Sequence, residues 1–456
     1  MKRIAKRLLV PVMVMLLVVG CSSGSKPEEK TLRIYTHMGQ LVMGEEKKDE
    51  DGNTYRDEET AYLLDVAERF TEKTGIKVEF EVVANEDDIE PLLKVKDPSI
   101  DLYTSPNWTI EQYQAYAEPY GTLEEVEELY GEYAYLMPND GEYVYNLQEA
   151  RGYENAFVYN EEVIKSVGYD EFPKNMEEFH DMNEKLIEKG ITPIAFHRIE
   201  NWPLANLSSM VNYVAGENTG HSDSLKYDDP FSEDKPLGKT IKMVTEWKSK
   251  KYFEQEIYAD FGVAMDAVAY GDAAAMYAGA WVVPQIQGRV PKESDPSIIK
   301  MTAAPDFGKG RFITGVSMSG WIISKGSELK DEARQWIDFV AEDAEFLEKF
   351  GAIANKKGVE PVVPDFYQTI DDLVEKGEVE VMLAEPINVN RLNMEDVLIE
   401  ANLQADNKYY GLPYDALDLT RPDDWTAFDK QIKAQNELVK KYKAELGIEW
   451  QDWKNE

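Results

Sequence analysis

Apolar and polar residues alternate in short runs along the first hundred residues, and stretches of helical spacing separate these runs. Residues 31–36 are apolar or β-branched at every second position and predict a strand. Residues 58–73 place apolar side chains at near-helical spacing, and Gly75 follows as a stop signal, so we expect a helix there. Residues 76–82 alternate again, and 100–103 form another short strand-like run. This order predicts an α/β fold whose sheet is covered by helices.

The alternation continues into the middle of the chain. Tyrosines on both sides of the turn sequence at 138–141 predict a β-hairpin over 133–145. Asn175, with a glutamate three residues later, has the form of a capping box and opens a helix that Gly190 closes before a strand at 191–196. Two further amphipathic helices are predicted towards the C-terminus, over 331–350 and 426–446.

The N-terminus has the composition of a secretory leader. Four basic residues precede an apolar run that is shorter than the roughly 20 residues of a membrane-spanning helix. The run ends at Cys21, the only cysteine of the chain, and residues 17–21 look like a bacterial lipobox. This resemblance implies that residues 1–20 are removed, that Cys21 becomes a lipidated N-terminus, and that 21–30 form a polar tether. The alternative is an ordinary signal followed by an isolated buried cysteine.

Chain length and charge restrict the architecture and the partners. The 456 residues exceed the roughly 250–300 at which a single core stops growing, so two lobes are expected. A single cysteine allows no intramolecular disulfide, which leaves stabilisation to the core. The chain carries 49 Lys and Arg against 87 Asp and Glu, a net charge of −38, and removal of the four basic leader residues makes it −42. This charge argues against nucleic acid as a partner and favours a neutral ligand.

Four stretches of the sequence carry a resemblance to one family. The passage from 155 to 179 resembles the family's "YN, helix, G, P-x-T-W-x-E" pattern, with Asn175-Met176 where Thr-Trp is usual. The most specific stretch, 271–281, is similar to the family's segment of Gly, alanines, Met, Gly and Trp. The others are 320–339 and the opening strand with its helix, up to Ile76. Over nearly its whole mature length the chain resembles the maltose-binding-like, carbohydrate-binding branch of the ABC-importer solute-binding proteins.

The resemblance implies a two-lobed, periplasmic-binding-protein-like fold of the type II Venus-flytrap class, with discontinuous lobes and a hinge. By analogy, lobe one comprises 31–140 plus 262–320, and lobe two comprises 141–261 plus 321–456. The crossings between the lobes are expected near residues 140, 262 and 320.

The function that the resemblance implies is capture of an oligosaccharide in the cleft between the lobes. The protein would be a monomer on the outer face of the cell membrane, held there through its N-terminal lipid alone, and it would deliver the sugar to the permease subunits of an ABC importer. The resemblance implies no enzymatic activity and no cofactor.

A sugar site needs flat aromatic faces for C–H surfaces and polar side chains for hydroxyl groups. Trp281 and Trp321 are the leading candidates, because each follows small residues that let a ligand or backbone approach closely. The alternative for both is a place in the hydrophobic core, since tryptophan is highly buried on average.

Loops after predicted strands supply further candidates, since ligands of open α/β sheets bind beyond the carboxyl ends of strands. Exposed surface turns with incidental aromatics are the alternative interpretation. The residues concerned are Asn107, Trp108, Arg198, Glu200 and Trp202, with Tyr35 and His37 after the first strand as lesser candidates.

Catalytic and metal motifs offer little support for other functions. The sequence has no His-Glu-x-x-His, Gly-x-Ser-x-Gly or phosphate-loop motif, and histidines 37, 180, 197 and 221 lack metal-ligand spacing. A calcium loop beginning at Lys47 would have lysine as its first ligand, so no metal is predicted. Two rivals remain open: a lipoprotein glycosidase, which needs only a suitably spaced carboxylate pair, and a receptor subunit that senses sugar.

Overall fold

A computed structural model describes most of the chain outside the leader. The described residues are 30–48, 54–57, 60–83, 86–95, 97–104, 108–196, 210, 214–215, 225–253, 261–318, 320–384, 397 and 425–450. Within these ranges no helix has both the length and the apolar character needed to cross a membrane.

Seventeen strands lie in the described ranges. In chain order they are β1 (Thr31–Thr36), β2 (Glu45–Lys48), β3 (Thr54–Asp57), β4 (Lys77–Val82), β5 (Leu102–Thr104), β6 (Ala117–Glu118), β7 (Gly121–Thr122), β8 (Tyr143–Val144), β9 (Ala150–Glu154), β10 (Ala156–Asn160), β11 (Thr192–Ala195), β12 (Ala273–Ala278), β13 (Ile299–Ala303), β14 (Phe312–Met318), β15 (Trp321–Ser324), β16 (Ile353–Ala354) and β17 (Glu380–Leu383).

The α-helices of the same ranges cover the sheets. They are α1 (Gly39–Met43), α2 (Tyr62–Thr74), α3 (Glu90–Lys94), α4 (Ile110–Tyr116), α5 (Leu123–Tyr130), α6 (Glu161–Lys165), α7 (Met176–Glu188), α8 (Pro236–Ser249), α9 (Phe261–Tyr270), α10 (Val282–Gln287), α11 (Lys330–Ala341), α12 (Ala344–Lys349), α13 (Gln368–Glu375) and α14 (Trp425–Leu446).

Sheet one, the centre of the first lobe, has the strand order β4-β1-β5-β15-β6. β1 runs parallel to β4 and β5, and β15 runs antiparallel to β5. The predicted strand at 31–36 is confirmed as β1, whose Leu32 and Ile34 are fully buried. The predicted helix is confirmed as α2, and Gly75 ends it in the left-handed conformation that glycine adopts without strain.

An aromatic cluster fills the core between sheet one and helices α2 and α11. Trp336 packs edge-on against Phe70, with ring centroids 5.3 Å apart, and against Trp321 at 5.6 Å. All three rings are almost completely buried. Such pairs add about 0.5–1.5 kcal/mol each beyond the burial of their area, so this cluster contributes to the stability of the first lobe.

Sheet two, the centre of the second lobe, has the order β11-β12-β10-β13. β12 is buried at all six positions because strands flank it on both sides and helices cover both faces. Helices α9 and α10 pack on one face and α6, α7 and α8 on the other. The long helix α14, predicted at 426–446, packs against α8 through Val439 and Tyr442.

A third sheet joins the lobes, and we call it the hinge sheet. Its order is β16-β9-β14-β17. β9 carries the chain from the first lobe into the second, and β14 carries it back in the antiparallel direction, with five residue pairs between them. β16 and β17 extend this sheet on its two edges.

The strand pairing differs from the predicted division of the lobes in two segments. Residues 273–303, predicted to join lobe one, pair with β10 and β11 in sheet two. Residues 321–324, predicted to join lobe two, lie between β5 and β6 in sheet one, and α11 and α12 pack on that lobe. Both strands are buried along their length, so each requires sheet neighbours on two sides, and sequence order does not reveal which neighbours these are.

Two local predictions also need correction. The turn at 138–141 is present and Asn139 pairs with Val144 across it, but residues 131–136 form a 3-10 helix that continues from α5, and β8 forms its ladder with β7. The helix predicted at 331–350 is two helices, because Asp343 caps the N-terminus of α12 by accepting a hydrogen bond from the N–H of Phe346.

We expect Gly152→Ala to destabilise the hinge sheet. A Cβ at Gly152 would lie 2.0 Å from Met318 Sδ and 2.9 Å from the Tyr367 hydroxyl, and overpacking of this kind typically costs about 1–3 kcal/mol. Thermal unfolding should show a lowered midpoint. The matched control is Gly121→Ala, whose Cβ would meet the carboxylate end of the flexible Glu125 side chain, and equal midpoints for the two variants would contradict the expectation.

Candidate functional site

The carboxyl ends of the parallel strands in sheet one form the first edge of the candidate site. β1 ends at Thr36 and β5 at Thr104, and the Thr104 hydroxyl donates to Thr36 Oγ1 over 3.0 Å. His37 follows β1 and places its Nδ1 3.4 Å from Thr104 Oγ1. Burial lowers the pKa of His37, so the imidazole is neutral at neutral pH. Both threonine hydroxyls are buried and bonded to each other, so among these three side chains it is the partly exposed, uncharged imidazole of His37 that lies where ligands of such sheets bind.

The corresponding edge of sheet two carries Trp281. β12 ends at Ala278, and the segment Gly279-Ala280-Trp281 leads directly into α10. The Trp281 side chain is partly buried and packs against the cores of both lobes. Its ring centroid lies 5.6 Å from that of Phe261. Trp281 therefore lies where the two lobes meet at the hinge, and its role as a ligand platform stays a prediction.

Glu154, the last residue of β9, accepts a hydrogen bond from the indole of Trp281. The distance from Trp281 Nε1 to Glu154 Oε1 is 2.9 Å. Burial raises the pKa of the Glu154 carboxyl to about 7, while the bonds from the indole and from the backbone N–H of Asn155 oppose that rise. The site thus contains a carboxyl group that changes its charge near neutral pH.

Gly279 leaves the space that this carboxyl group occupies. A Cβ at position 279 would lie 2.3 Å from both oxygens of Glu154. The sequence predicted that missing bulk before Trp281 lets a ligand or backbone approach closely, and in the structure the group that lies there is the Glu154 carboxyl. Glu154 itself was missed, although it directly precedes the 155–179 passage that carries the family resemblance.

The prediction for Trp321 is wrong, because the structure places this residue in the core. Its side chain is 1% exposed and packs against Trp336. The indole N–H donates to Glu149 Oε1 over 2.9 Å, so the polar atom of the ring is satisfied inside the protein. Gly320 preceding it is in a backbone conformation with φ of 143°, which explains the glycine without a ligand.

Trp108 also lies in a core. It is 4% exposed and contacts the rings of Tyr103 and Tyr113, with centroids at 5.4 and 5.7 Å. Helices α3 and α4 cover this face of sheet one, which leaves the indole no free face for stacking. Tyr35 is partly buried against the same cluster, and burial, with the charge of Glu81 next, raises its pKa.

The remaining sequence candidates lie outside the described residues. They are Asn107, Arg198, Glu200, Trp202 and the lipidation candidate Cys21. Among the residues that are described, no cluster of three or more His, Cys, Asp or Glu could hold a metal ion.

A cavity of about 300 Å³ lies at the opposite edge of sheet two. Its lining includes Tyr159 near the end of β10, Lys300 near the start of β13, and Arg311 directly before β14. Lysines and carboxylates alternate around its opening, and Lys174 pairs there with Glu378. This mixed-charge surface is separate from the edge that carries Trp281.

A family model for bacterial extracellular solute-binding proteins matches residues 55–345. The chain therefore belongs to the bacterial extracellular solute-binding protein family. A search of curated proteins found no match.

Solved structures with the same two-lobed fold are numerous. The BlMnBP1 protein of Bifidobacterium animalis subsp. lactis, solved with mannobiose, is 19% identical with a TM-score of 0.73, over 92% of this chain and 95% of that one. RafE from Streptococcus pneumoniae is 15% identical with a TM-score of 0.61, over 92% and 100%. Maltose-bound MalE3 of T. maritima is 14% identical with a TM-score of 0.61, over 90% and 99%. These likenesses establish the predicted periplasmic-binding-protein-like fold.

Ionisation of Glu154 should make stability depend on pH. Its pKa is about 7 in the folded protein against an ordinary 4.5, so the native state binds more protons than the unfolded chain between these values. Stability therefore falls as pH rises from about 4.5 to 7, by up to about 3 kcal/mol. Urea unfolding at pH 5 to 8 should show this decline in the wild type relative to Glu154→Gln.

The control for this measurement is Glu188→Gln, which removes an exposed carboxyl on α7. The pH dependence of that variant should follow the wild type. Parallel curves for the wild type and Glu154→Gln would contradict the assigned ionisation.

Proposed function

We propose that this protein binds an oligosaccharide in the cleft between its lobes and delivers it to an ABC importer. The observation that carries the proposal is the partly buried indole of Trp281 at the carboxyl edge of sheet two, in contact with both cores. Structurally similar proteins were solved with mannobiose, mannotriose, raffinose and maltose. Their ligands support a sugar as the ligand class for this chain.

The chemistry of the described edges supports a neutral ligand. An indole face suits the C–H surface of a sugar ring, and the neutral imidazole of His37 suits a sugar hydroxyl. The net charge of −38 disfavours an anionic ligand. Tyr35 and His37 stay proposed contacts on the first lobe, and the undescribed Asn107, Arg198, Glu200 and Trp202 stay proposed on sequence grounds.

We propose that the lobes open and close about the hinge sheet and that a sugar bridging both lobes favours the closed form. The crossings would be β9, β14 and the segment that follows β16. This keeps the crossing predicted near 320 and moves those predicted near 140 and 262. A ligand shifts the equilibrium between the open and closed forms only as far as it binds the closed form more tightly than the open form. The ligand must therefore contact both lobes.

The proposed location is the outer face of the cell membrane. Lipidation of Cys21 would hold a monomer there, with residues 22–30 as the tether and the importer permease as partner. Ligand would be released intact, which separates this function from that of a glycosidase. Recovery of shortened sugar after incubation with the protein would overturn that part of the proposal.

Trp281→Ala should weaken binding of the oligosaccharide. Loss of a buried aromatic anchor costs about 2 kcal/mol or more, equivalent to a roughly 30-fold rise in Kd. A thermal-shift screen with mannobiose, raffinose and maltose identifies the sugar to use, and calorimetry then measures the Kd of the wild type and the variant.

Tyr270→Ala is the matched control, since Tyr270 is 55% exposed and ends α9, the helix that begins beside Trp281 at Phe261. Its Kd should equal that of the wild type. An unchanged Kd in Trp281→Ala would reject Trp281 as the ligand platform.

Cys21→Ser should release the protein from the membrane. The thiol is the group that a lipoprotein transferase modifies, and serine does not accept the lipid. Fractionation of cells should find the wild type with the membrane and the variant in the soluble fraction. Ser22→Ala is the control and should behave as the wild type; membrane association of Cys21→Ser would reject the lipid anchor.

A further inference from the structure

Trp281 belongs to a segment that two hydrogen bonds attach to the crossing strand β9. The indole Nε1 donates to Glu154 Oε1 over 2.9 Å. One residue earlier, the backbone N–H of Ala280 donates to the carbonyl oxygen of Tyr153 over 2.8 Å. Tyr153 and Glu154 are consecutive in β9, so this strand contacts the segment through both backbone and side chain.

The glutamate has little freedom to move away from this contact. Gly279 packs so closely that a Cβ there would lie 2.3 Å from either carboxylate oxygen. On the other side, Asn155 continues the chain with φ of 62° and anchors its side chain through a bond from Nδ2 to Thr314 Oγ1 of 3.1 Å. Thr314 belongs to β14 and is the register partner of Glu154. The backbone that carries the carboxyl group is thus fastened to β14, and the carboxyl group itself contacts the segment that carries the indole.

We infer that Glu154 is a positioning residue that sets the plane of the Trp281 indole relative to the hinge sheet. The inference rests on the proposed function, in which this indole is the ligand platform. The second side-chain torsion of tryptophan is broad, so a hydrogen bond at the far side of the ring selects one orientation. Because the acceptor Glu154 belongs to β9, a movement of β9 would change the face that Trp281 presents to the ligand.

Titratable groups lie on β9 itself and on the elements that pack against it. Tyr153 and Arg151 share its strand, Tyr367 lies in the neighbouring 3-10 turn, and Asp371 lies on α13 with Oδ1 3.4 Å from the Tyr153 hydroxyl. The pKa of Tyr367 is raised chiefly by burial, next by Tyr153, and further by the Glu154 charge. The segment Gly279–Trp281 has no titratable side chain. The tyrosines stay neutral over the range in which Glu154 changes its charge.

The contact can be tested without any ligand, by NMR of the full mature chain labelled with 15N-tryptophan. The chain has nine tryptophans, and the Nε1–H cross-peak of Trp281 is assigned by its loss in Trp281→Phe. We expect this cross-peak to shift with a midpoint near pH 7 in the wild type. In Glu154→Gln the amide oxygen still accepts the hydrogen bond, so the peak persists but no longer titrates. A wild-type peak that does not respond to pH, or that titrates equally in Glu154→Gln, would overturn the inference.

Ligand affinity provides the second test, using whichever of mannobiose, raffinose or maltose gives the largest thermal shift. Glu154→Leu removes the acceptor and should raise the Kd by about tenfold or more. Glu154→Gln should keep the Kd within about threefold of the wild type, because it preserves an acceptor. Gly279→Ala should act as Glu154→Leu does, since its Cβ displaces the carboxyl group, and Gly121→Ala is its control. Wild-type affinity in Glu154→Leu would overturn the inference.

The proposed ligand platform at Trp281 and the positioning role of Glu154 are rejected by different experiments. An unchanged Kd in Trp281→Ala would remove the proposed ligand platform. A pH-insensitive Trp281 cross-peak would remove the positioning role of Glu154 while ligand binding remains. The midpoints of thermal unfolding of Glu154→Leu and Glu154→Gln, measured at pH 6, report whether either variant has lost its fold.

Discussion

The antiparallel pairing of β9 with β14 determines where the two lobes and the candidate site lie. Five residue pairs join the strand that leaves the first lobe to the strand that returns to it. Each strand runs directly into a central strand of a lobe, β10 in sheet two and β15 in sheet one. The register of the β9–β14 pairing therefore sets where the edges of sheets one and two lie. Close packing at Gly152 in β9 leaves little room for this register to change.

The two ends of β9 carry the same chemical contact in different surroundings. Glu149, just before the strand, accepts from the indole of Trp321, and Glu154, at its end, accepts from the indole of Trp281. The first pair lies fully inside the core of the first lobe, where its value is structural. The second pair lies where both lobes meet, so the orientation of the Trp281 indole bears on the proposed cleft between them. The orientation of the Trp321 indole, inside one core, does not.

The sequence predicted local structure better than the site. β1 was predicted with its observed bounds, because alternation and burial on one strand are local properties. The neighbours of β12 and β15 were not predictable in this way, since pairing between distant segments depends on the whole sheet, and two segments were therefore assigned to the wrong lobe. Trp281 and Trp321 have similar sequence surroundings, and only their buried neighbours distinguish a core tryptophan from one at the cleft.

The charges at the described edges explain why a neutral ligand suits this protein. Burial lowers the pKa of His37, so at neutral pH the first edge presents an uncharged imidazole. On the second edge Glu154 changes its charge near pH 7, and an ionised carboxylate beside Trp281 would repel an anionic ligand. A neutral polyhydroxylated ligand meets no such repulsion in either ionisation state. In the proposed function, the affinity for such a ligand would depend on the orientation of the Trp281 indole, which its hydrogen bond to β9 would set.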